Sequence, residues 1–383
     1  METNNLTSEQ EQAQDALERW MSDCIADKTS PPAIVRCFTK IQEDKHAKHI
    51  STGFPQLDSI LGDGLRPGLY IVGAVSSLGK TAFCLQVADQ IARDGHGVLF
   101  FSLEMSEEEL LTRSFSRLSF LTDKAAGNHG INAKTPLEIL HARHYRTYSA
   151  GELSLIQQAM TIYLDEYARN VHVVEGENGM SISEIQNAVA EYKNSHGDPP
   201  VVIIDYLQIL APSNDRNTDK QNTDVAMTAL KQLSHDYGIP VIAISSLNRS
   251  SYDASVNMAS YKESGAVEYS SDILIGMQYA GMTSTGSETG RERKERIRSL
   301  KDDMDACGAD GRPQKIQVKI LKNRGGIKGS LVLRFYPKYS CFLSDSSEDA
   351  DNRDKPPHIA TIPSPKPKKS ISSTKKTQPS NQE

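Results

Sequence analysis

Residues 69–94 read LYIVGAVSSLGKTAFCLQVADQIARD, and three local patterns follow one another within them. LYIVGA is short, β-branched and apolar on both faces, as in a strand covered from above and below. TAFCLQVADQIARD has helical period and composition. Between them, Ala74-Val75-Ser76-Ser77-Leu78-Gly79-Lys80-Thr81 is a P-loop pattern in the strand–loop–helix setting that it requires. A polyphosphate needs backbone N–H groups and a helix N-terminus around it, a lysine reaching its outer phosphates, and a hydroxyl for Mg²⁺. The residues expected to bind the nucleotide are therefore Ala74, Ser76, Ser77, Gly79, Lys80, Thr81 and Ala82, with Thr81 also a metal ligand. The pattern departs from its strict form at its first position, where Ala74 replaces a glycine.

Outward from this loop the signals are regular. GVLFFSLEM, NVHVVEG, VVIIDYLQIL, PVIAISSL and DILIGMQ read as further buried strands, with helices between them. Ser106-x-x-Glu109 and Ser181-x-x-Glu184 are capping boxes that open helices just after strands. The alternation predicts an α/β fold with a doubly wound, mostly parallel sheet. KIQVKIL and SLVLRFY flank Asn323-Arg324-Gly325-Gly326, so the sheet is expected to close with a β-hairpin. Asp205 follows VVII at the carboxyl end of a strand, where open α/β sheets bind ligands; it is a candidate Mg²⁺ ligand through water, or a turn or cap residue. Glu104 ends FFSLEM and could activate the water that attacks a γ-phosphate, or serve the dipole of the next helix.

The remaining composition bounds the function. The 383 residues carry 43 basic and 49 acidic side chains, a formal charge of −6. That excludes a uniformly basic nucleic-acid coat but not a local basic channel. Cys24, Cys37, Cys84, Cys307 and Cys341 are far apart, without a CxxC pair, and read as reduced thiols of an intracellular, cytoplasmic protein. No apolar run approaches the roughly 18–20 residues that cross a bilayer, and METNNLTSEQEQ lacks the regions of a signal peptide, so no membrane partner is expected. Leu17, Trp20, Met21, Cys24 and Ile25 recur at helical spacing in residues 8–26, which Pro31-Pro32 ends before the charged stretch EDKHAKH. After residue 344 the chain turns to SDSSEDADNRD and a Pro/Ser/Lys tail with too little apolar surface to fold. The expected organisation is an N-terminal extension with a linker helix (1–50), one ATPase domain (51–345) and a disordered tail (346–383).

STGFPQLDSILGDGLRPGLYIVGAVSSLGKTAF, VLFFSLEMS, VVIIDYLQIL, PVIAISSLNRS, KESGAVE and LKNRGGIKG, taken in order over residues 51–343, resemble the C-terminal motor domain of DnaB-like replicative helicases. The resemblance implies a RecA-like P-loop core that assembles as a homo-hexameric ring on single-stranded and forked DNA. Such a ring hydrolyses ATP with Mg²⁺ at its subunit interfaces and moves five-prime to three-prime. It assigns Lys80 and Thr81 to phosphate and Mg²⁺, Asp205 to Mg²⁺, Glu104 to the catalytic base, and Gln208 to coupling between the γ-phosphate and the DNA loops. Lys322 and Arg324 match the pair that reaches into the neighbouring subunit's site. From the residues alone these two are better read as solvated hairpin charges.

Three departures from the family pattern stand out. Ser246 occupies the place of a glutamine in ISSLNR, which shortens a γ-phosphate contact. Only about fifty residues precede the motor, so the helical domain that meets primase is not expected, and a plasmid, phage or conjugative element is the expected source. The Leu17/Trp20/Met21/Cys24/Ile25 stripe would dock on the next subunit or on its own domain. Extra segments fall near 124–149 and 280–313, the second containing RERKERIRSLKDD, which reads as a solvated helix. DNA contacts are expected from loops at the carboxyl ends of the sheet: 213–221 with Arg216 and Lys220, and 249–262 beginning at Arg249. The expected function is an ATP-dependent DNA helicase motor, with a primase or loader as a further partner. The alternative is an ATP-switched RecA-like ring that loads or recruits without unwinding.

Overall fold

The computed structural model describes residues 8–46, 49–176, 180–210, 218–248, 252–261, 264–283 and 288–345. Six strands run parallel: β1 (Gly68–Ala74), β2 (Val98–Ser102), β3 (Val171–Glu175), β4 (Val201–Asp205), β5 (Pro240–Ser246) and β6 (Ile273–Tyr279). Three antiparallel strands complete the sheet, β7 (Gln314–Asn323), β8 (Ser330–Tyr336) and β9 (Cys341–Ser344), in the order β3-β2-β4-β5-β1-β6-β7-β8-β9. The hairpin expected from KIQVKIL and SLVLRFY is present, but a third strand extends it. β9 is short, and its pairing to Gln86 was not legible: the Gln86 amide donates to Phe342 O and accepts from Phe342 N, both at 2.8 Å.

The helices follow in chain order. The N-terminal pair is α1 (Ser8–Ala26) and α2 (Pro32–His46), and α3 (Pro55–Leu61), α4 (Lys80–Arg93), α5 (Glu107–Ala125), α6 (Pro136–Leu140) and α7 (Ala150–Glu166) come next. Then come α8 (Ile182–His196), α9 (Asp219–Tyr237), α10 (Ser264–Ser270) and α11 (Gly290–Ala309). Both expected capping boxes form, Ser106 with Glu109 and Ser181 with Glu184. The strands are apolar throughout because helices cover both faces. Tyr70, Val72 and Ala74 of β1 point into a cluster with Phe83, Cys84 and Val87 of α4, while Leu69 and Ile71 point to Met227 and Leu230 of α9. This alternation is the period of two of a strand, buried on either side.

The N-terminal extension holds two helices where one was expected. Pro31-Pro32 does end α1, but Pro32 also opens α2, because its fixed φ suits a first helical turn and its missing N–H would have had no partner there. Trp20 packs on Phe38 of α2 at 5.3 Å between ring centroids. Met21 is buried, while Leu17 and Trp20 stay half exposed. Part of the stripe is therefore covered by α2, a partner the one-helix reading did not contain. The extra segment at 124–149 holds α6 and a 3-10 turn, and is fixed by the Tyr339 hydroxyl on Gly130 O and by Phe120 stacked on Tyr339. The segment at 280–313 holds α11, which buries Ile297 and leaves most of its charges in solvent. The tail 346–383 lies outside the described residues.

Candidate active site

The P-loop sits where β1 gives way to α4. Gly79, the N-cap of α4, has φ 85°, a left-handed conformation that disfavours a side chain. An added Cβ there would lie 2.7 Å from the Phe335 ring, so close approach of β8 requires glycine as well. Lys80 lays its Nζ against Ala74 O at 3.0 Å and Val75 O at 3.2 Å. Burial lowers its pKa, opposed first by the Asp205 carboxylate and then by Tyr252 and Glu104. The loop and helix start open onto a cleft of about 660 Å³. Ser76, Ser77, Gly79, Lys80, Thr81 and Ala82 all line it; Ala74 lies beneath, fully buried.

Asp205 ends β4 with 2% exposure and accepts a 2.6 Å hydrogen bond from the Thr81 hydroxyl. Burial raises its pKa; the Thr81 bond opposes this, and the Glu104 charge adds to the rise. One hydroxyl and one carboxylate on one wall are hard oxygen donors short of a full shell, which suits a Mg²⁺ ion that keeps several waters. β2 ends at Ser102, two residues earlier than the strand end expected at Glu104, because Ser102 Oγ bonds Met105 and turns the chain. Glu104 is exposed on that turn and lines the cleft. The start of α5 is already served by Glu107, Glu108 and Glu109, the last in the capping box, so Glu104 is not needed for the dipole.

The sequence reading missed Arg113. It lines the same cleft from α5, lowered in pKa by burial and acted on by the charges of Asp205, Glu109 and Glu104. The signal was its helical spacing: Leu110, three residues before it, and Arg117, four after it, are both buried, so position 113 lies beside the inward stripe. Gln208 follows β4 in a 3-10 turn and bridges to β5, donating to Ser245 Oγ at 2.9 Å and accepting from Ser246 N at 3.3 Å. Ser246 lines the cleft, and Gln208 meets it there through that peptide N–H.

Lys322 and Arg324 lie elsewhere. β7 runs antiparallel to β6, so its end at Asn323 pairs with Ile273, at the amino end of the parallel strands. Arg324 N donates to Asp272 O, and Asp272 N donates to Leu69 O at the start of β1. The seven residues of β1 separate this edge from the P-loop by roughly 20 Å at about 3.3 Å per residue. The Arg324 guanidinium lies 3.5 Å from the Asp272 carboxylate and donates to Tyr269 O at 3.2 Å, while the side chain stays 56% exposed. The turn is closed by the Asn323 side chain, which accepts from Gly325 N and donates to Ile327 O, and neither Gly325 nor Gly326 has a positive φ. Lys322 Nζ is held by the carbonyls of Glu268 and Ser271; burial, then Arg324 and Lys231, push its pKa down.

A model of the DnaB-like helicase C-terminal domain matches residues 49–344. The chain belongs to this family. Among DnaB-like relatives it is 26% identical over 304 residues to the replicative DNA helicase DnaB of Helicobacter pylori, covering 75% of this chain and 57% of that protein. It is 27% identical over 303 residues to DnaB of Geobacillus stearothermophilus, covering 77% and 56%, and 28% identical over 304 residues to the replicative DNA helicase DnaC of Bacillus subtilis, covering 77% and 56%. The chain thus spans a little over half the length of these relatives. One solved ATPase domain has the same fold, with a TM-score of 0.64 at 21% identity, covering 84% of this chain and all of that one. A DnaB-like replicative helicase, solved for its interactions with primase, gives 0.63 at 21% identity over 87% and 72%.

Of the residues expected to contact DNA, Arg216 and Arg249 lie outside the described residues. Lys220 is exposed on the first turn of α9, helical rather than in a loop as expected, because Thr218 and Gln221 form a capping box that starts the helix before it. The five cysteines are free, and among the described residues no helix is long and apolar enough to cross a membrane.

Proposed function

We propose that this chain is the ATPase motor of a DNA helicase, working as a homo-hexameric ring on single-stranded and forked DNA in the cytoplasm, with a primase or loader as a further partner. One observation supports this most: the phosphate cradle and the Lys322/Arg324 pair occupy opposite edges of one sheet, roughly 20 Å apart. Arg324 does not reach its own cleft, whereas a neighbouring copy can present it there.

In this reading Lys80 and the N-terminus of α4 hold the triphosphate, and Thr81 with Asp205 would hold Mg²⁺, which neutralises charge on the phosphates when bound. Glu104 orients the attacking water and takes its proton. Arg113 adds a positive charge on the same wall, and Arg324 from the next subunit stabilises the charge that develops on the transferred phosphoryl group. Loops at the carboxyl edge carry the force to the DNA backbone. Ser246 favours one alternative, an ATP-switched ring that binds or loads without unwinding, because one hydroxymethyl reaches less far into the cleft than the amide of the family pattern. Strand displacement on a forked duplex separates the two. The motor reading expects ATP-dependent displacement, and binding of ATP and DNA that leaves the duplex intact would favour the switch.

A further inference from the structure

The lining of the cleft falls into two chemical sets. Lys80, Thr81, Glu104, Arg113 and Asp205 are the charged and hydroxyl set that a triphosphate and its metal engage. The other set is apolar: Pro136 and Leu137 of α6, with Phe335 and Pro337 from the end of β8. About 660 Å³ is room for a whole small ligand, so the apolar set faces what the phosphates carry. Phe335 marks where this set begins, since its ring packs beside Gly79 at the start of α4.

α6 is fixed on either side of Leu137. Ser116 Oγ of α5 donates to Lys134 O at 2.6 Å, Thr135 caps the helix with Glu138, and the Tyr145 hydroxyl donates to Ile139 O at 2.7 Å. The hydroxyl of Tyr339, two residues beyond Pro337, donates to Gly130 O at 3.0 Å and so ties the two apolar walls together. Ile139 is buried, whereas Leu137, two positions away and so on the opposite face of the helix, is 63% exposed. A lone exposed leucine on an open surface is ordinary. This one stands in a cleft beside two prolines, on a backbone held at both ends.

We propose that Leu137 is a base-binding residue: with Pro136 and Pro337 it covers the flat face of the nucleobase whose triphosphate lies on Lys80 and Thr81. The proposal deepens the motor reading above and rests on it for the triphosphate. An isobutyl group has neither donor nor acceptor, so the contact rewards the area of the ring and not the pattern of its edge.

The test is Leu137→Ala in the full chain, a change at an exposed position that leaves the buried contacts of α6 in place. Binding of ATP and of inorganic tripolyphosphate, both with Mg²⁺, is measured by calorimetry. Wild type is expected to bind ATP more tightly than tripolyphosphate. Leu137→Ala should lower the affinity for ATP about 5- to 20-fold, the scale for uncovering half or more of a leucine side chain, and leave that for tripolyphosphate within about 2-fold. Leu137→Met, which puts apolar cover back, should recover most of the loss. An unchanged ATP affinity in Leu137→Ala, an equal loss for tripolyphosphate, or a methionine variant no better than the alanine one would each overturn the assignment. Wild type that binds the two ligands equally would overturn it as well, with the phosphate cradle intact. Wild type that binds neither would remove the motor reading, and the proposal with it.

Discussion

The two edges of the sheet are built in opposite ways. At the carboxyl edge, Lys80, Thr81, Asp205, Glu104 and Arg113 answer one another across a single cleft, with charges of both signs brought together by β1, β2 and β4. At the amino edge, Lys322 and Arg324 rest on carbonyls and on one carboxylate, Asp272, which Lys231 also holds at 2.9 Å. Two cations, Lys231 and Arg324, therefore pair with one acid, while Lys322 rests on the carbonyls of Glu268 and Ser271. On the proposed reading, the difference means that one chain holds the binding half of a phosphoryl-transfer site at its carboxyl edge and offers the other half to a neighbouring copy at its amino edge.

The strongest way to break this comparison is at the amino edge. Arg324→Ala should lower ATP turnover by roughly 10³–10⁵-fold, the scale for an arginine that stabilises phosphoryl charge in trans, while equilibrium ATP binding survives. Turnover near wild type would make Arg324 a surface charge. At the carboxyl edge, Glu104→Gln should keep ATP and Mg²⁺ affinity and lower turnover by roughly 10²–10⁴-fold, as expected for loss of a general base. Activity within a few-fold of wild type would return Glu104 to a solvated turn.

Smaller effects sharpen the picture. Gly79→Ala should destabilise the fold by about 1–3 kcal/mol, since its methyl needs both a strained φ and space held by Phe335. A melting temperature equal to wild type would show that β8 does not clamp the P-loop. Removing Arg216 and Lys220 together should flatten the slope of log DNA affinity against log salt by roughly one unit or more. An unchanged slope would place the DNA path elsewhere.

The carboxyl edge was far more legible in the sequence than the amino edge. A P-loop compresses its chemistry into eight consecutive residues, and Asp205 and Glu104 stand beside apolar runs that announce their strands. Arg113 gave a weaker signal. It reaches the cleft from α5, and only its spacing from the buried Leu110 and Arg117 tells it from its exposed neighbours. The N-terminal pair was half read, because a proline that ends one helix is also well suited to begin another, and the order of the two roles depends on Trp20 meeting Phe38. The turn at Arg324 was located from its place between two strand runs, but its closure by the Asn323 side chain was not legible.

The central claim, that a working site joins the two edges of different copies, is tested most directly by mixing. Lys80→Ala, which loses its contact to phosphate, and Arg324→Ala are each expected to be inactive alone. In a mixed assembly, an intact P-loop on the Arg324→Ala chain can face an intact Arg324 on the Lys80→Ala chain. The two are combined under exchange conditions, and co-assembly is verified by pulling down one tagged variant with the other. The account predicts that ATPase activity returns in the mixture. Proven co-assembly without any recovery would contradict it.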